Sequence, residues 1–455
     1  MPFTKLRLLA PLGHNASAKP ARMVALMFAA AILVGGLLLS SPLSSTNGEF
    51  TPLIDGVFTA TSAVCVTGLT VLDTATDFTP FGQSVILLLI QVGGLGLMLV
   101  ASLLSMLVMG RIGYLTRLST QRESNAVSGS DVRSAAMVII KVSLIIESIV
   151  AVLLGVRFWA GYGYDPLKAL WHGAFHAVSS FNNAGFALYS NNLMDFVADP
   201  WLCLPISLAI ILGGLGFPVL VQLRRHWNNS LKWSMNTRLV LLMTVLLLVL
   251  GTVFITAMEW NNQETLGRLD PQERILAGFF QSVQTRTAGF NSIDIGAMHP
   301  ASWLGMDVLM FIGGGPAGTA GGIKITTAAV LLFIIITELR GETAVNVLGK
   351  RLSRSVHRQA ITVALMGVAA VFAGTMGLML LTGYTLDRRL FEATSAFATV
   401  GLSTGITPDL PDGAKGILIA LMYLGRVGVL SLGSALALRD RKALFELPKE
   451  RPAIG

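Results

Sequence analysis

Charge is scarce in this chain. Of its 455 residues only 13% are Asp, Glu, Lys or Arg, about half the share of an ordinary soluble domain. Cysteine is scarcer still. Cys65 and Cys203 stand far apart with no CxxC or Cys/His spacing, so neither a disulfide framework nor a zinc site is expected. No nucleophile, base and acid are clustered, no phosphate-accepting aspartate motif is present, and no segment is of low complexity. Catalytic residues are therefore expected to be none, and the enzyme class has no support. What the chain has instead is apolar surface: 53% hydrophobic residues and a mean hydropathy of +0.68.

That apolar surface comes in long runs. Residues 24–39, 81–109, 135–156, 201–221, 239–258, 303–339, 361–381 and 416–438 are eight candidate membrane spans, a bilayer crossing taking about 20 residues as a helix. The first run follows a basic segment but lacks a small-residue cleavage site, so it reads as a span rather than a removable leader. Eight spans put both termini on one side. The N-terminal segment, the even connections and the tail hold 22 of the 33 Lys and Arg, against eight on the opposite face. Both termini are then expected in the cytoplasm. Acidic residues lean to the outer face, which favours cations near it. The net charge of +8 follows from this topology and does not argue for nucleic acid as a partner.

The runs are organised by a fourfold repeat. Between the spans of each pair lies a shorter semi-apolar stretch, ending "TSAVCVTG" at Gly68, "VSSFNNAG" at Gly185, "SVQTRTAG" at Gly289 and "TSAFATVG" at Gly401. The glycines are 117, 104 and 112 residues apart, and a glycine-rich patch follows each at 25, 28, 24 and 24 residues, starting at Gly93, Gly213, Gly313 and Gly425. Two landmarks recurring at matched distances in four copies mark an internal repeat. Each short stretch also carries a helix-start signal: Asp165-Pro166 and Asp270-Pro271 place a capping carboxylate before a proline, and Asp55 and Asp387 are expected to serve likewise. Each unit thus reads as span, short re-entrant helix, extended loop, span. The fold class is an all-α polytopic membrane protein, with four membrane helix–pore helix/loop–membrane helix units around a central pore.

Non-helical backbone at membrane depth survives only where protein buries it or where it lines a watery cavity. Four loops on one axis make a ring, and the residues before each glycine are mostly small or neutral: Val66-Thr67, Asn183-Ala184, Thr287-Ala288 and Thr399-Val400. Such a ring offers backbone carbonyls, which replace the hydration shell of a monovalent cation. The C-terminal ends of the four short helices would add partial negative charge.

These residues resemble the Trk/Ktr/HKT superfamily of potassium transporters, and within it the bacterial KtrB type. "FTATSAVCVTGLTVLDT", "QVGGLGLM", "FHAVSSFNNAGFALYS", "FFQSVQTRTAGFNSID", "GGIKITT", "FEATSAFATVGLSTG" and "LGRVGVLSL" fall in order where that family has its motifs. The longer TrkH-type subunits carry an extra N-terminal pair of spans. The resemblance implies that Gly68, Gly185, Gly289 and Gly401 are the filter glycines. Sodium-preferring plant relatives often have serine at the first, so Gly68 argues for potassium. It further implies a homodimer seated on a cytosolic ring of KtrA-type nucleotide-binding subunits, a bacterial inner-membrane location, K⁺ as substrate with Na⁺ as activator, and no cofactor on this chain. A TrkH-like or Na⁺-permeable transporter of the same superfamily is the alternative; a secondary transporter with broken helices is a remote one. The expected layout is an N-terminal segment (1–22), unit 1 (23–110), unit 2 with its preceding loop (111–223), unit 3 (224–339), unit 4 with its preceding loop (340–438) and a tail (439–455). One departure is the absence of a proline near Val429, which bears on the bend of the last helix.

The third unit is unlike the others. From Gly313 to Ile325 it holds Gly313, Gly314, Gly315, Pro316, Ala317, Gly318, Thr319, Ala320, Gly321, Gly322 and Lys324, a helix-breaking run that also satisfies GxGxxG, with Glu338 20 residues on. No strand precedes it, so the nucleotide fingerprint is rejected. The reading is a flexible gating loop under the filter, the other three second spans continuing as helices. Arg426, an intramembrane cation, is expected to face the pore as a barrier and to contact this loop. Arg286 is expected to pair behind the filter with Glu392. Ser179, Ser180, Asn182 and Asn183 are expected to satisfy loop backbone, the "GGLG" patches to allow close helix packing, and His172 and His176 not to bind metal.

Overall fold

The computed structural model describes residues 18–117 and 129–428. Most of the expected N-terminal segment, part of the loop ahead of unit 2, and everything from Val429 onward lie outside the described residues. The end of the last span and the tail are among these.

The fourfold pattern reappears as helices. Unit 1 is α1 (Ala18–Leu39), α2 (Leu53–Cys65) and α3 (Pro80–Arg117); unit 2 is α4 (Gly129–Tyr162), α5 (Pro166–Phe181), α6 (Pro200–Leu215) and α7 (Phe217–Arg225). Unit 3 is α8 (Met235–Glu259), α9 (Pro271–Gln284), α10 (Pro300–Ile312) and α11 (Ile325–Leu339). Unit 4 is α12 (Arg354–Leu381), α13 (Leu386–Ala398) and α14 (Asp412–Tyr423), which runs into one π-helical turn, Leu424–Gly428. Proline opens α3, α6 and α10, where its missing N–H costs no hydrogen bond. A two-stranded hairpin, β1 (Asn346–Val347) and β2 (Lys350–Arg351), joins α11 to α12.

Among the described residues, four helices are each long and apolar enough to cross a membrane unaided: Pro80–Ala101, Ala136–Tyr162, Met235–Glu259 and Arg354–Leu381. The sixth and seventh reach that length and apolarity only as a pair, bent by 99° between them. The outer helices turn apolar side chains outward: Phe372 is 67% exposed and Leu380 82%, as suits a surface facing lipid. The polar groups lie inside. Ser62, Thr67, Ser179, Asn182, Gln284, Thr287, Ser395 and Thr399 are all fully buried.

Within a unit the first span packs on its own short helix; between units the second span packs on the next unit's short helix. Thus α3 meets α5, α6 meets α9, α10 meets α13, and α14 returns to α2. The circle closes. A partly buried ion pair, Lys415 Nζ to Asp55 Oδ1 at 2.6 Å, ties unit 4 to unit 1 at this seam. The glycine patches allow the approach: a β-carbon on Gly93, Gly213 or Gly425 would collide with the carbonyl of Val64, Phe181 or Phe397. Each carbonyl lies four residues before the glycine that closes its unit's repeat motif. The corresponding Gly313 instead meets its own loop, at Gly321 and Ile323.

One expectation fails here. The second span of unit 2 does not continue as a helix but breaks at Gly216, which takes φ 92° and ψ 142°, a region close to glycine-only. The cause is Pro218, whose nitrogen cannot donate to Gly214 as an unbroken helix requires.

Candidate ion filter and gate

The four short helices α2, α5, α9 and α13 are started in two ways. Asp165 accepts from the Leu167 N–H at 3.1 Å with Pro166 in the first turn. Asp270 and Glu273 form a reciprocal capping box around Pro271, as expected. Asp55 and Asp387 are not caps: Pro52 and Thr385 hold those positions, and both carboxylates sit within the first turn. There they still face the positive end of the helix dipole.

The helices end in left-handed backbone. Val66, Asn183, Thr287 and Thr399 have φ of 57°, 61°, 69° and 51°, and the repeated glycines Gly68, Gly185, Gly289 and Gly401 have φ of 93°, 72°, 77° and 94°. Thr67, Ala184, Ala288 and Val400, between them, are not left-handed. Alternating hand turns successive peptide groups toward one side of the chain. A left-handed β-branched residue is strained by about 1–3 kcal/mol, and three of the four units carry one.

The glycines form a closed ring in chain order. A β-carbon on Gly68 would lie 3.2 Å from the Gly185 Cα, one on Gly185 2.9 Å from Gly289, one on Gly289 3.2 Å from Gly401, and one on Gly401 2.9 Å from Gly68. Next to each glycine stands the neighbouring unit's carbonyl: Ala184 beside Gly68, Ala288 beside Gly185, Val400 beside Gly289 and Thr67 beside Gly401. No side chain fits between strands this close, so the ring is made of backbone.

Polar side chains hold the ring from behind. Ser62 Oγ accepts from Gly68 N–H at 3.0 Å and Ser395 Oγ from Gly401 N–H at 3.1 Å. In unit 3 Gln284 Oε1 accepts from Phe290 N–H at 3.1 Å; in unit 2 Ser179 donates to the Phe186 carbonyl at 2.8 Å. Ser180 bonds the His176 carbonyl at 2.5 Å, and Asn182 reaches Val178, Gln91 and Glu147. Ser62, Ser395 and Gln284 escaped the sequence reading, although serine six residues before the glycine recurs in three copies. His172 Nδ1 meets the Tyr189 hydroxyl at 3.0 Å and His176 Nδ1 the His172 carbonyl at 2.7 Å. These contacts make the pair part of an aromatic wedge with Phe158 and Tyr189.

Beneath the ring, the chain between α10 and α11 is non-helical and buried, with Pro316 and Lys324 partly exposed. It is clasped by the broken helix of unit 2. Gly315 N–H donates to the Gly214 carbonyl at 2.8 Å, Thr319 N–H to Gly213 at 3.1 Å, and Phe217 N–H to the Ala317 carbonyl at 3.2 Å. The break at Gly216 frees these groups from their helical partners. From above, Thr319 Oγ1 donates to Asn183 Oδ1 at 2.9 Å, and Gly321 N–H to Thr287 Oγ1 at 3.3 Å. Fully buried Arg426 donates to the Thr319 carbonyl and, at 3.5 Å, to Gly93 of unit 1. Lys324 folds back onto the Ala320 carbonyl at 2.5 Å.

Arg286 does not pair with Glu392. Its Nη1 donates to the Thr244 carbonyl at 3.2 Å. Glu392 is already filled by Ser403 at 2.6 Å, the Thr404 N–H at 2.9 Å and Thr407 at 2.9 Å.

Compared with known proteins, residues 21–442 match the family model described as TrkH, cation transport protein. The chain belongs to the TrkH family. Among its relatives, the Ktr system potassium uptake protein B of Bacillus subtilis is 39% identical over 415 residues, covering 90% of this chain and 92% of that protein. The protein of the same name from Vibrio alginolyticus is 35% identical over 95% of this chain and 94% of its own. The potassium/sodium uptake protein NtpJ of Enterococcus hirae is 36% identical over 96% and 97%. In fold, the chain is similar to the potassium transporter TrkH of Vibrio parahaemolyticus, with a TM-score of 0.72 at 18% identity, covering 92% of this chain and 85% of that one. This TrkH-family protein is a multi-pass membrane protein built of apolar helices.

Proposed function

We propose that the protein is the K⁺-translocating subunit of a Ktr-type uptake system, passing K⁺ inward down its electrochemical gradient. The observation that carries this is the closed backbone ring at Gly68, Gly185, Gly289 and Gly401. Carbonyls held at fixed spacing replace the hydration water of a monovalent ion without a fixed charge to trap it. Relatives named for potassium uptake, at 35–39% identity over most of the chain, support the same substrate. The buried loop at residues 313–324 acts as the gate, and Arg426 acts as a cationic barrier and as the loop's anchor. The protein works in a bacterial inner membrane with both termini cytoplasmic, as a homodimer on a KtrA-type nucleotide-binding ring, and Na⁺ stimulates it.

Expression in a bacterium lacking its own potassium uptake tests the substrate. Growth should be restored at low K⁺ and should depend on the cytosolic ring. Rescue at millimolar Na⁺ without rescue at low K⁺ would replace this reading with a Na⁺-permeable transporter.

A further inference from the structure

Arg286 is one residue ahead of the filter element of unit 3 and is buried behind it. Among the described residues no carboxylate lies within ion-pair distance of it. A cation placed this near a cation filter opposes conduction unless it is neutralised.

The guanidinium opens on a small cavity between units 2 and 3. Three polar side chains line it: Arg286, Thr244 from α8 and Asn183 from the unit 2 filter. Each keeps a buried polar atom without a hydrogen-bond partner in the protein, namely Arg286 Nε, Thr244 Oγ1 and Asn183 Nδ2. All three side chains are more than nine-tenths buried. The placement of the amide is fixed from two sides: Asn183 Oδ1 accepts from Thr319, and Nδ2 faces Gly214, 3.6 Å from where that residue's β-carbon would stand. The other walls include Ile210, Ile211, Leu215 and Leu248. The pocket is small and partly open rather than sealed, so that only a single small body fits between these groups.

The chemistry of these atoms is one-sided. A guanidinium Nε–H and an amide NH₂ only donate, and the threonine hydroxyl can donate as well. A body that satisfies all three must accept, and beside an uncompensated guanidinium a negative one is favoured over water. We propose that this cavity binds a small monovalent anion, chloride under physiological conditions, which neutralises Arg286 and bridges the filter to the gating loop at Gly314. The anion is a structural counter-ion rather than transported cargo.

The test is independent of transport. The purified full-length protein would be crystallised in bromide, and its thermal unfolding compared in potassium chloride and potassium gluconate at equal K⁺. A bromide anomalous peak between Arg286 and Thr244, with a higher Tm in chloride, is the expected result. Thr244→Val removes the hydroxyl but keeps the carbonyl that receives Arg286. It should weaken halide binding about tenfold, one charge-assisted hydrogen bond being lost. Thr244→Ser should restore it. Absence of bromide from the cavity, or equal Tm in the two salts, would overturn the proposal and leave water as the occupant. Because both readouts are of binding, a failure of potassium uptake leaves this test standing.

Discussion

The glycine ring and the layer beneath it are built from the same four units in opposite ways. At the ring the units are nearly interchangeable, with the same left-handed pair around each filter element and the same neighbour-to-neighbour contact. Below it no two agree. Unit 1 keeps a continuous α3, unit 2 bends by 99° at Gly216, unit 3 gives way to a buried loop, and unit 4 passes through a π turn carrying Arg426. A site that replaces a hydration shell needs equivalent carbonyls on every side. A gate needs two alternative arrangements, and one unit able to move is enough, provided that others hold it.

Breaking the equivalence of the ring should have the largest effect. Gly68→Ser puts a side chain on a residue at φ 93°, 2.5 Å from the Ala184 carbonyl. Discrimination between K⁺ and Na⁺ should fall by about tenfold or more, since strain of 1–3 kcal/mol enters one wall. Competitive ⁴²K⁺ and ²²Na⁺ uptake into proteoliposomes would show it, and unchanged selectivity would count against the ring. Removing the asymmetry of the layer beneath comes next. Deleting residues 314–319 should raise K⁺ flux several-fold in a normally inserted protein; unaltered or lower flux would refute the gate.

A subtler change leaves the loop intact and frees its clasp. The double variant Gly216→Ala/Pro218→Ala lets α6 and α7 join, so that Gly213 and Gly214 regain helical donors and stop holding Thr319 and Gly315. With each backbone bond worth about 1 kcal/mol net, flux should rise about three- to tenfold. Flux unchanged from wild type would show that the clasp is not what keeps the gate shut. The smallest effect is expected behind the ring, at Ser62→Ala or Ser395→Ala. Each removes one neutral hydrogen bond, costing about 1 kcal/mol. Selectivity should slip by about threefold or less, and equally in the two variants because the two serines are equivalent. A large difference between them would show that the seam at Lys415 and Asp55 breaks the symmetry.

The ring was legible because each of its marks is local. Asp165 and Asp270 announce helix starts because proline follows at once, whereas Asp55 and Asp387 lack that neighbour and lie within the first turn rather than at the cap. The glycines stand out through spacing, and their close packing follows from having no side chain. The break at Gly216 was missed because Gly93–Gly96 and Gly213–Gly216 read the same; the difference lies just beyond, in Leu97 against Phe217-Pro218. Arg286 was given a distant acid on grounds of charge. Glu392 instead finds hydroxyls and an N–H 11 to 15 residues along its own chain.

Hydropathy, repeat spacing and helix-start signals determined by sequence alone that the chain crosses a membrane, that it does so in four like units, and where each short helix gives way to its glycine. The glycine run of unit 3 and its contact with Arg426 are legible as well, but tertiary structure alone decided which groups hold that loop. Arg426 reaches Thr319 across 107 residues, and the carbonyls of Gly213 and Gly214 meet a loop about a hundred residues further on. A buried charge or a freed backbone group must find a partner. Which partner it finds depends on what the closed ring brings beside it.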